Sequence, residues 1–258
     1  MPFFFIITPT HKRADKLQRA IHSVLSQEYT NFLMIIINDS PEDSSYGELN
    51  ELFKSENIIY LKNDKNHGVN YSRNKALEVA ENKDIKNSWI IFLDDDDYLN
   101  EKALSKLTDL INEHKDINWF LTNRAYNDGK SLTKAVDGEI YYYAKDYLIM
   151  RNIKGDATHC IKVKSLNNAH FAKNIKQAEE WLFFFKLGLK NKIFYRNINT
   201  TLTDGYSEGL NFRKRTVTNQ LKNISNLIKE GRSQNMSSCS SFLIYIVMRT
   251  VRAFVKHN

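Results

Sequence analysis

The sequence contains the stretch Trp89-Ile90-Ile91-Phe92-Leu93-Asp94-Asp95-Asp96-Asp97, in which five large apolar residues are followed at once by four carboxylates. Such a short, continuous apolar run is typical of a strand that is buried on both faces of a parallel sheet. The carboxylates then follow the C-terminal end of that strand, where open α/β sheets bind ligands. Four adjacent negative charges repel one another unless a cation or hydrogen-bond donors offset them. The stretch therefore predicts a divalent metal site. The alternative is a solvated turn in which Asp97 or Asn100 caps the next helix.

The residues around this stretch alternate between apolar runs and segments with helical spacing. Strands are predicted at 3–8, 32–38, 58–61 and 89–93, and helices at 14–27, 46–54 and 71–80. This alternation predicts an α/β fold with a mostly parallel central sheet and crossover helices. Beyond residue 116 the pattern loosens into strand-like pieces at 118–127 and 139–143. Glu179 and Glu180 then begin a segment that is apolar almost all round, which predicts a buried helix.

The composition is that of an ordinary globular protein, with 258 residues of which 42% are hydrophobic. Cys160 and Cys239 match no metal or redox spacing, and the first residues lack a basic leader, so we expect a reducing, cytoplasmic setting. The net charge of +7 lies almost entirely in residues 211–258, which hold nine Lys or Arg and one acid. This asymmetry predicts a C-terminal segment that meets an anionic surface.

The end of this basic segment has an amphipathic pattern. A run of seven apolar residues at 242–248 precedes Arg249, Arg252 and Lys256, whose spacing places them on one face of a helix with Tyr245. The run is far shorter than the roughly twenty residues needed to span a bilayer. We expect the helix to lie on an anionic membrane surface, helped by the basic cluster at 213–215. The alternative is a helix packed on the catalytic domain with its charges in water.

Four motifs in the first hundred residues resemble those of the family 2 glycosyltransferases, which have the GT-A fold. The motifs are Thr8-Pro9-Thr10 followed by Arg13, then Asn38-Asp39-Ser40, then Asn66-His67-Gly68 running into Arg73-Asn74, and last Asp94-Asp95-Asp96. The resemblance implies a Rossmann-like nucleotide-binding half and a helical C-terminal segment. It also implies an inverting enzyme that takes its sugar from a nucleotide diphosphate, here expected to be UDP.

The resemblance further implies roles for individual residues. Asp96 and Asp94 would hold Mn²⁺ or Mg²⁺, and the base that activates the acceptor would be Glu180 or Glu179, where relatives have Glu-Asp. A later His of the family is replaced here by Tyr206. Asp39 would accept hydrogen bonds from the nucleobase or, alternatively, form a turn before Pro41, and Arg73 would contact the donor or form a surface salt bridge. The residues expected to contact the donor are Thr8, Pro9, Thr10, Arg13, Asp39, Asn66, Gly68, Arg73, Asp94 and Asp95.

The expected organisation is a catalytic domain at 1–210 and a basic helical extension at 211–258. Within the domain, 1–116 would bind the nucleotide sugar and 117–210 the acceptor. The expected reaction is hexosyl or N-acetylhexosaminyl transfer to a glycan or lipid-linked glycan of a bacterial surface polysaccharide, such as lipopolysaccharide. The enzyme would act at the inner face of the cytoplasmic membrane, and we expect no nucleic-acid partner. The alternatives are a metal-dependent nucleotidyltransferase and a non-catalytic nucleotide- or nucleic-acid-binding module.

Overall fold

The structure is a computed structural model that describes residues 1–173, 180–205, 217–233, 235–236 and 239–255, with the backbone alone at 217–223 and 251–255. Several residues singled out above therefore lie outside the described residues. These are Glu179, Tyr206, the basic cluster at 213–215, the side chain of Arg252, and Lys256.

The N-terminal half alternates strands and helices, as the sequence predicts. Its elements are β1 (Phe3–Thr10), α1 (Ala14–Leu25), β2 (Phe32–Asn38), a 3₁₀ helix (Ser44–Leu49), α2 (Asn50–Phe53), β3 (Ile58–Lys62), α3 (Val69–Asn82) and β4 (Ser88–Phe92). The four strands are parallel and lie in the order β3-β2-β1-β4. The order in which strands are added to the sheet therefore reverses between β1 and β4. A crevice forms at such a point, and this class of sheet binds ligands there.

The second half contains both parallel and antiparallel strand pairs. The loosened sequence pattern beyond residue 116 does not predict these strand directions. Its elements are β5 (Asp97–Leu99), α4 (Ala103–Glu113), β6 (Trp119–Tyr126), β7 (Ile140–Tyr141), a π-helix (Tyr143–Ile149), β8 (Ala157–Lys162), a 3₁₀ helix (Val163–Ser165), α5 (Trp181–Gly188) and β9 (Ile193–Thr203). Strand β8 is antiparallel to both β4 and β6, and β6 is parallel to β9. The nine strands form one sheet in the order β3-β2-β1-β4-β8-β6-β9-β5, with β7 paired to β9.

The sheet is covered on both faces, which explains the continuous apolar runs in its central strands. Alternate residues of β1 point to opposite faces, so Phe4 and Ile6 pack in one apolar cluster and Phe5 and Ile7 in another. Helices α1 and α4 contribute to the first cluster, and α3 and α5 contribute to the second. The result is a three-layer α/β/α arrangement.

The chain ends in two helices, α6 (Val217–Ser233) and α7 (Ser240–Val255), which pack on the same face as α5. Gly231 of α6 lies so close to α7 that a Cβ atom added there would be 2.3 Å from the Phe242 ring. Helix α5 is buried almost all round, as its composition predicts. Among the described residues, no helix has the length and apolar character needed to cross a membrane.

Candidate active site

The acid run lies in the turn between β4 and β5, at the junction of the two halves. The Leu93 N–H still bonds to Ile7 O of β1, and the turn closes through the Asp97 N–H and Asp94 O, 3.1 Å apart. One carboxylate oxygen from each of Asp94, Asp96 and Asp97 lies within 4.8 Å of the others. Clustered carboxylate oxygens are the ligands that Mg²⁺ and Mn²⁺ prefer, so these residues fit a divalent metal.

The solvated turn does not describe this stretch. Asp95 and Asp97 are buried, and Asp97 begins strand β5 rather than capping a helix. Asp97 joins the expected ligands Asp94 and Asp96 in the cluster, whereas Asp95 does not belong to it. The metal site itself stays a prediction, because the geometry establishes only that the oxygens are close enough for one.

Asp95 instead connects the acid run to the loop after β1. Its Oδ2 accepts a hydrogen bond from Thr10 Oγ1 at 2.8 Å, and its Oδ1 accepts one from Arg13 Nη1 at 3.1 Å. Burial raises the pKa of Asp95 to about 6, against the opposing effects of Arg13 and the Thr10 hydroxyl. Arg13 Nη1 also lies 2.9 Å from Asp96 Oδ2, so one guanidinium contacts two neighbouring acids. Thr10 and Arg13 thus hold the acid run, and their expected contact with the donor stays a prediction.

Arg73 contacts both the acid run and Glu180. It lies on α3, its side chain is only 5% exposed, and it donates from Nη2 to Asp94 Oδ1 at 2.9 Å and from Nη1 to Glu180 Oε1 at 2.6 Å. Burial opposes ionisation of Asp94, but Arg73 and Arg124 outweigh it and lower the pKa of that carboxyl. The buried position excludes the surface salt bridge considered for Arg73.

Arg124 reaches the site from β6, in the other half of the chain. Its Nη2 donates to Asp97 Oδ1 at 2.7 Å, and its Nη1 lies 3.6 Å from Asp156 Oδ2. Burial raises the pKa of Asp97 to about 7, with Asp94 and Asp96 adding repulsion and Arg124 opposing both effects. Sequence reasoning missed Arg124 and Asp156, because neither belongs to a motif. Arg124 lies within β6 and Asp156 directly precedes β8, two strands whose direction the sequence pattern does not reveal. Asp97 could have been included, since it belongs to the acid run.

The loop that precedes α3 is held by Asp39. Its carboxylate accepts hydrogen bonds from Asn63 Nδ2 and from the backbone N–H groups of His67 and Gly68, at 2.8, 2.9 and 2.7 Å. Gly68 has φ of +92°, a conformation that an L-residue with a side chain rarely adopts. The Asn66 side chain lies 3.2 Å from the His11 ring. These contacts shape the loop, and the expected nucleobase contact of Asp39 stays a prediction.

The remaining two residues expected to contact the donor are Thr8 and Pro9. Both are buried within β1, where they pair in register with Ile36 and Ile37 of β2. Their side chains therefore belong to the interior of the sheet. A donor contact for either residue stays a prediction.

A cavity of about 350 Å³ lies between the acid run and the start of α5. Charged residues form one end of it, and aromatic residues form much of the rest. Its lining includes Arg73, Asp94, Asp97, Arg124, Asp156 and Glu180, together with Tyr143, Tyr147, His159, Phe171, Trp181 and Phe184. Aromatic faces and carboxylates together suit a sugar, which presents apolar C–H faces and hydroxyl donors.

Two residues in the cavity wall differ sharply in their surroundings. Glu180 is the residue before α5 and has a side chain that is 42% exposed, and within the described part of the chain its carboxylate bonds only to Arg73. His159 is buried, stacks on Phe184 with ring centres 3.9 Å apart, and accepts a hydrogen bond at Nδ1 from Trp119 Nε1. Burial lowers the pKa of His159 to about 3. Glu180 thus presents a partly exposed carboxylate, whereas His159 is a neutral packing residue.

The parallel four-stranded half, the mixed half and the acid run at their junction together define the GT-A class of fold. A sequence model described as "Glycosyl transferase family 2" matches residues 5–175, about two thirds of the chain. The chain belongs to glycosyl transferase family 2. The family and the fold expected from the sequence are confirmed, and the family is one of glycosyltransferases.

Curated relatives share this similarity over most of the chain. One is the GalNAc(5)-diNAcBac-PP-undecaprenol beta-1,3-glucosyltransferase of Campylobacter jejuni, 27% identical over 202 residues, which are 76% of this chain and 62% of that protein. Another is the poly(ribitol-phosphate) beta-N-acetylglucosaminyltransferase TarP of Staphylococcus aureus, 30% identical over 207 residues, which are 72% of this chain and 58% of that protein. The chain thus spans about three fifths of the length of these relatives.

Solved structures of S. aureus TarS have the same fold. TarS 1-349 aligns with a TM-score of 0.70 at 16% identity, covering 98% of this chain and 72% of that one. The complex of TarS 1-349 with UDP-GlcNAc aligns with a TM-score of 0.68 at 18% identity, covering 94% of this chain and 72% of that one. At this identity the likeness establishes the fold alone.

Proposed function

We propose that the chain is an inverting glycosyltransferase that moves a hexosyl or N-acetylhexosaminyl group from a UDP-sugar to a hydroxyl of a glycan or lipid-linked glycan. The observation that carries the proposal is the position of Glu180, which lies in the wall of the cavity and is joined through Arg73 to Asp94 of the acid run. The candidate base and the acid run, which would hold a metal that offsets the charge of the diphosphate, therefore face the same cavity. The relatives named above support the substrate class, since one name describes glucosyl transfer to a glycan on PP-undecaprenol and the other N-acetylglucosaminyl transfer to poly(ribitol-phosphate).

In this proposal Glu180 acts as the general base. Its carboxylate takes the proton of the acceptor hydroxyl while the hydroxyl oxygen forms a bond to the anomeric carbon of the donor. The bond between that carbon and the diphosphate oxygen breaks, so UDP leaves and the configuration inverts. Arg73 orients the Glu180 carboxylate toward the cavity, because its two Nη atoms are held at the same time by Glu180 and Asp94.

The departing diphosphate develops negative charge, which the site must offset. A divalent metal held by Asp94, Asp96 and Asp97 would supply positive charge at that point. Arg13 and Arg124 each contact an acid of the run, so they limit repulsion among the carboxylates before the donor binds.

We also propose that the protein acts at the cytoplasmic face of an anionic membrane and contacts it through α7. Leu243, Ile244 and Val247 are 51, 48 and 61% exposed on the outer side of this helix. The surrounding segment 211–258 holds nine Lys or Arg and a single acid, so the net positive charge of the chain is concentrated there. An exposed apolar strip beside basic residues favours binding in the lipid headgroup region. Arg249, which the sequence predicts to contact the membrane, lies over the Trp181 ring instead. At this residue the predicted basic face of α7 is therefore directed toward the protein.

The reaction is tested by incubating the protein with Mn²⁺ and a panel of UDP-sugars, and measuring release of UDP with and without lipid-linked acceptors. GDP-mannose is the control donor. We expect UDP release from one UDP-sugar, accelerated by an acceptor, and a thermal shift with UDP that requires Mn²⁺. Failure of every nucleotide to bind would contradict the proposal.

A further inference from the structure

The last helix, α7, packs directly on the residue that follows the candidate base. Trp181 comes immediately after Glu180, and on α7 the ring of Tyr245 meets it edge-on with centres 4.7 Å apart, while the ring of Phe242 lies at 6.1 Å. The Arg249 guanidinium lies 5.9 Å from the centre of the same indole. Trp181 also lines the cavity. One side chain thus separates α7 from the space in which the substrate is proposed to bind.

Further contacts connect these helices to the same wall of the cavity. Helix α7 also packs against the π-helix that provides Tyr143 and Tyr147, and Phe242 contacts Phe185 of α5 with ring centres 5.7 Å apart. On α6, Glu230 is buried and its Oε1 accepts a hydrogen bond from the backbone N–H of Lys173 at 3.4 Å. The two helices therefore contact the chain on both sides of the segment 174–179, which leads into Glu180.

We propose that the α6–α7 pair is a positioning element of the active site, in which Tyr245 and Phe242 hold Trp181 and so fix where the Glu180 carboxylate lies. The indole is large and rigid, and Glu180 is its immediate neighbour in the chain, so a shift of the ring displaces the carboxylate. Misplacing a reacting group by about 1 Å can lower a rate by a factor of a hundred. Residues of α7 that never contact substrate would then set the turnover rate. The inference rests on the proposed function for the role of Glu180.

The test compares Tyr245→Ala with two matched variants in the full chain. Tyr245→Phe keeps the ring, and Ser240→Ala alters an exposed residue of the same helix. We expect Tyr245→Ala to lower kcat at least about tenfold while KM for the UDP-sugar and binding of UDP stay within twofold of the native values. Tyr245→Phe and Ser240→Ala should keep the native kcat. If Tyr245→Ala unfolds under the assay conditions, Tyr245→Leu, which fills most of the volume without the ring, takes its place.

Hydrogen exchange of the peptide that covers α5 gives a second readout, which needs no activity. We expect faster exchange in Tyr245→Ala and native exchange in Ser240→Ala. Unchanged exchange in α5, or an unchanged kcat, overturns the inference, as does a loss of UDP binding that matches the loss of rate. If the native chain transfers no sugar, the proposed function fails, whereas the exchange data still decide whether α7 holds α5 in place.

Discussion

Arg73 and Glu180 form an ion pair between two elements that lie 107 residues apart in the chain, with Nη1 and Oε1 separated by 2.6 Å. The arginine is buried and the glutamate is partly exposed to the cavity. The pair therefore joins the middle of the N-terminal half to the start of α5. Because the other Nη atom of Arg73 contacts Asp94, a single guanidinium fixes the candidate base relative to the acid run.

Arg73→Lys should lower kcat by at least about tenfold, since an ammonium on a flexible stem does not reproduce the two-pronged contact of a guanidinium. The charge is kept, so we expect only a small change in melting temperature. Steady-state kinetics with the preferred UDP-sugar give the measurement. Arg151→Lys, at an exposed position, is the matched control. Native turnover in Arg73→Lys would show that catalysis does not require simultaneous contact of Arg73 with Glu180 and Asp94.

Glu180→Gln should lower the turnover rate by roughly a hundredfold or more, the usual order for loss of a general base. The amide keeps the size of the side chain and can still accept a hydrogen bond from Arg73, but it does not take up the proton. Binding of UDP, measured by calorimetry, should change little. Glu139→Gln alters an exposed glutamate and should keep the native turnover rate. If Glu179→Gln is inactive and Glu180→Gln is active, the general base is Glu179 instead of Glu180.

Asp96→Ala should abolish transfer and leave the fold intact. The substitution removes one oxygen donor from the cluster but also relieves repulsion among the remaining acids, while Arg13 keeps its contact with Asp95. The melting temperature without metal should hold or rise, and the stabilisation by Mn²⁺ with UDP should disappear. Asp109→Ala on the exposed side of α4 is the control. Manganese-dependent turnover near the native rate would remove Asp96 from the metal site.

His159 should make the stability of the protein depend on pH. Its pKa falls from an ordinary value of 6.5 to about 3 on burial, so below about pH 6.5 the unfolded chain binds a proton that the folded chain does not. Stability therefore decreases as the pH falls through this window and does not change from this cause above it. We compare the free energy of unfolding in urea at pH 7.5 and 5.0. Between these pH values it should fall by about 2 kcal/mol more in the native protein than in His159→Gln. His22→Gln, at an exposed position, should behave like the native protein, and equal losses in all three would contradict the prediction.

Val247→Glu should weaken binding to membranes. The residue is exposed on the outer side of α7, so the substitution adds a charge to the apolar strip without disturbing the packing on Trp181. The native protein should co-sediment with vesicles containing anionic lipid at low salt and be released at high salt. Val247→Glu should remain in the supernatant, whereas Val247→Ala should still bind. Equal sedimentation of the native protein and Val247→Glu would discard the membrane contact.

The sequence predicts the N-terminal half well because its strands are buried on both faces and are separated by helices with clear periodicity. The positions of β1 to β4, and the placement of Thr10, Asp39 and the acid run at one edge of the sheet, follow from that pattern. The second half is different, since β8 runs antiparallel to β4 and polar residues occupy much of β9. The direction of β8 has no local signal, because it arises from contacts between distant segments, and the polar residues of β9 obscure the pattern of a strand.

The same contrast applies within the site. The acid run is visible because four like charges after an apolar run are unusual, but its partners Arg124 and Asp156 are ordinary residues in the sequence. Only the pairing of β6 with β8 and β9 brings them to the cavity. The position of Trp181 under α7 likewise depends on how the C-terminal helices return to the domain, which residue spacing alone does not determine.

Arg124 compensates Asp97 from β6, and Glu180 contacts Arg73 from the start of α5, so charges of the first 116 residues are balanced by residues synthesised later. When the N-terminal half emerges first from the ribosome, Asp97 has no guanidinium from β6 beside it, and burial of an uncompensated carboxylate is unfavourable. The last steps of burial must therefore wait for the second half. We expect the two halves that the sequence suggests to behave as one cooperative folding unit, in which a complete site and a complete fold are reached together.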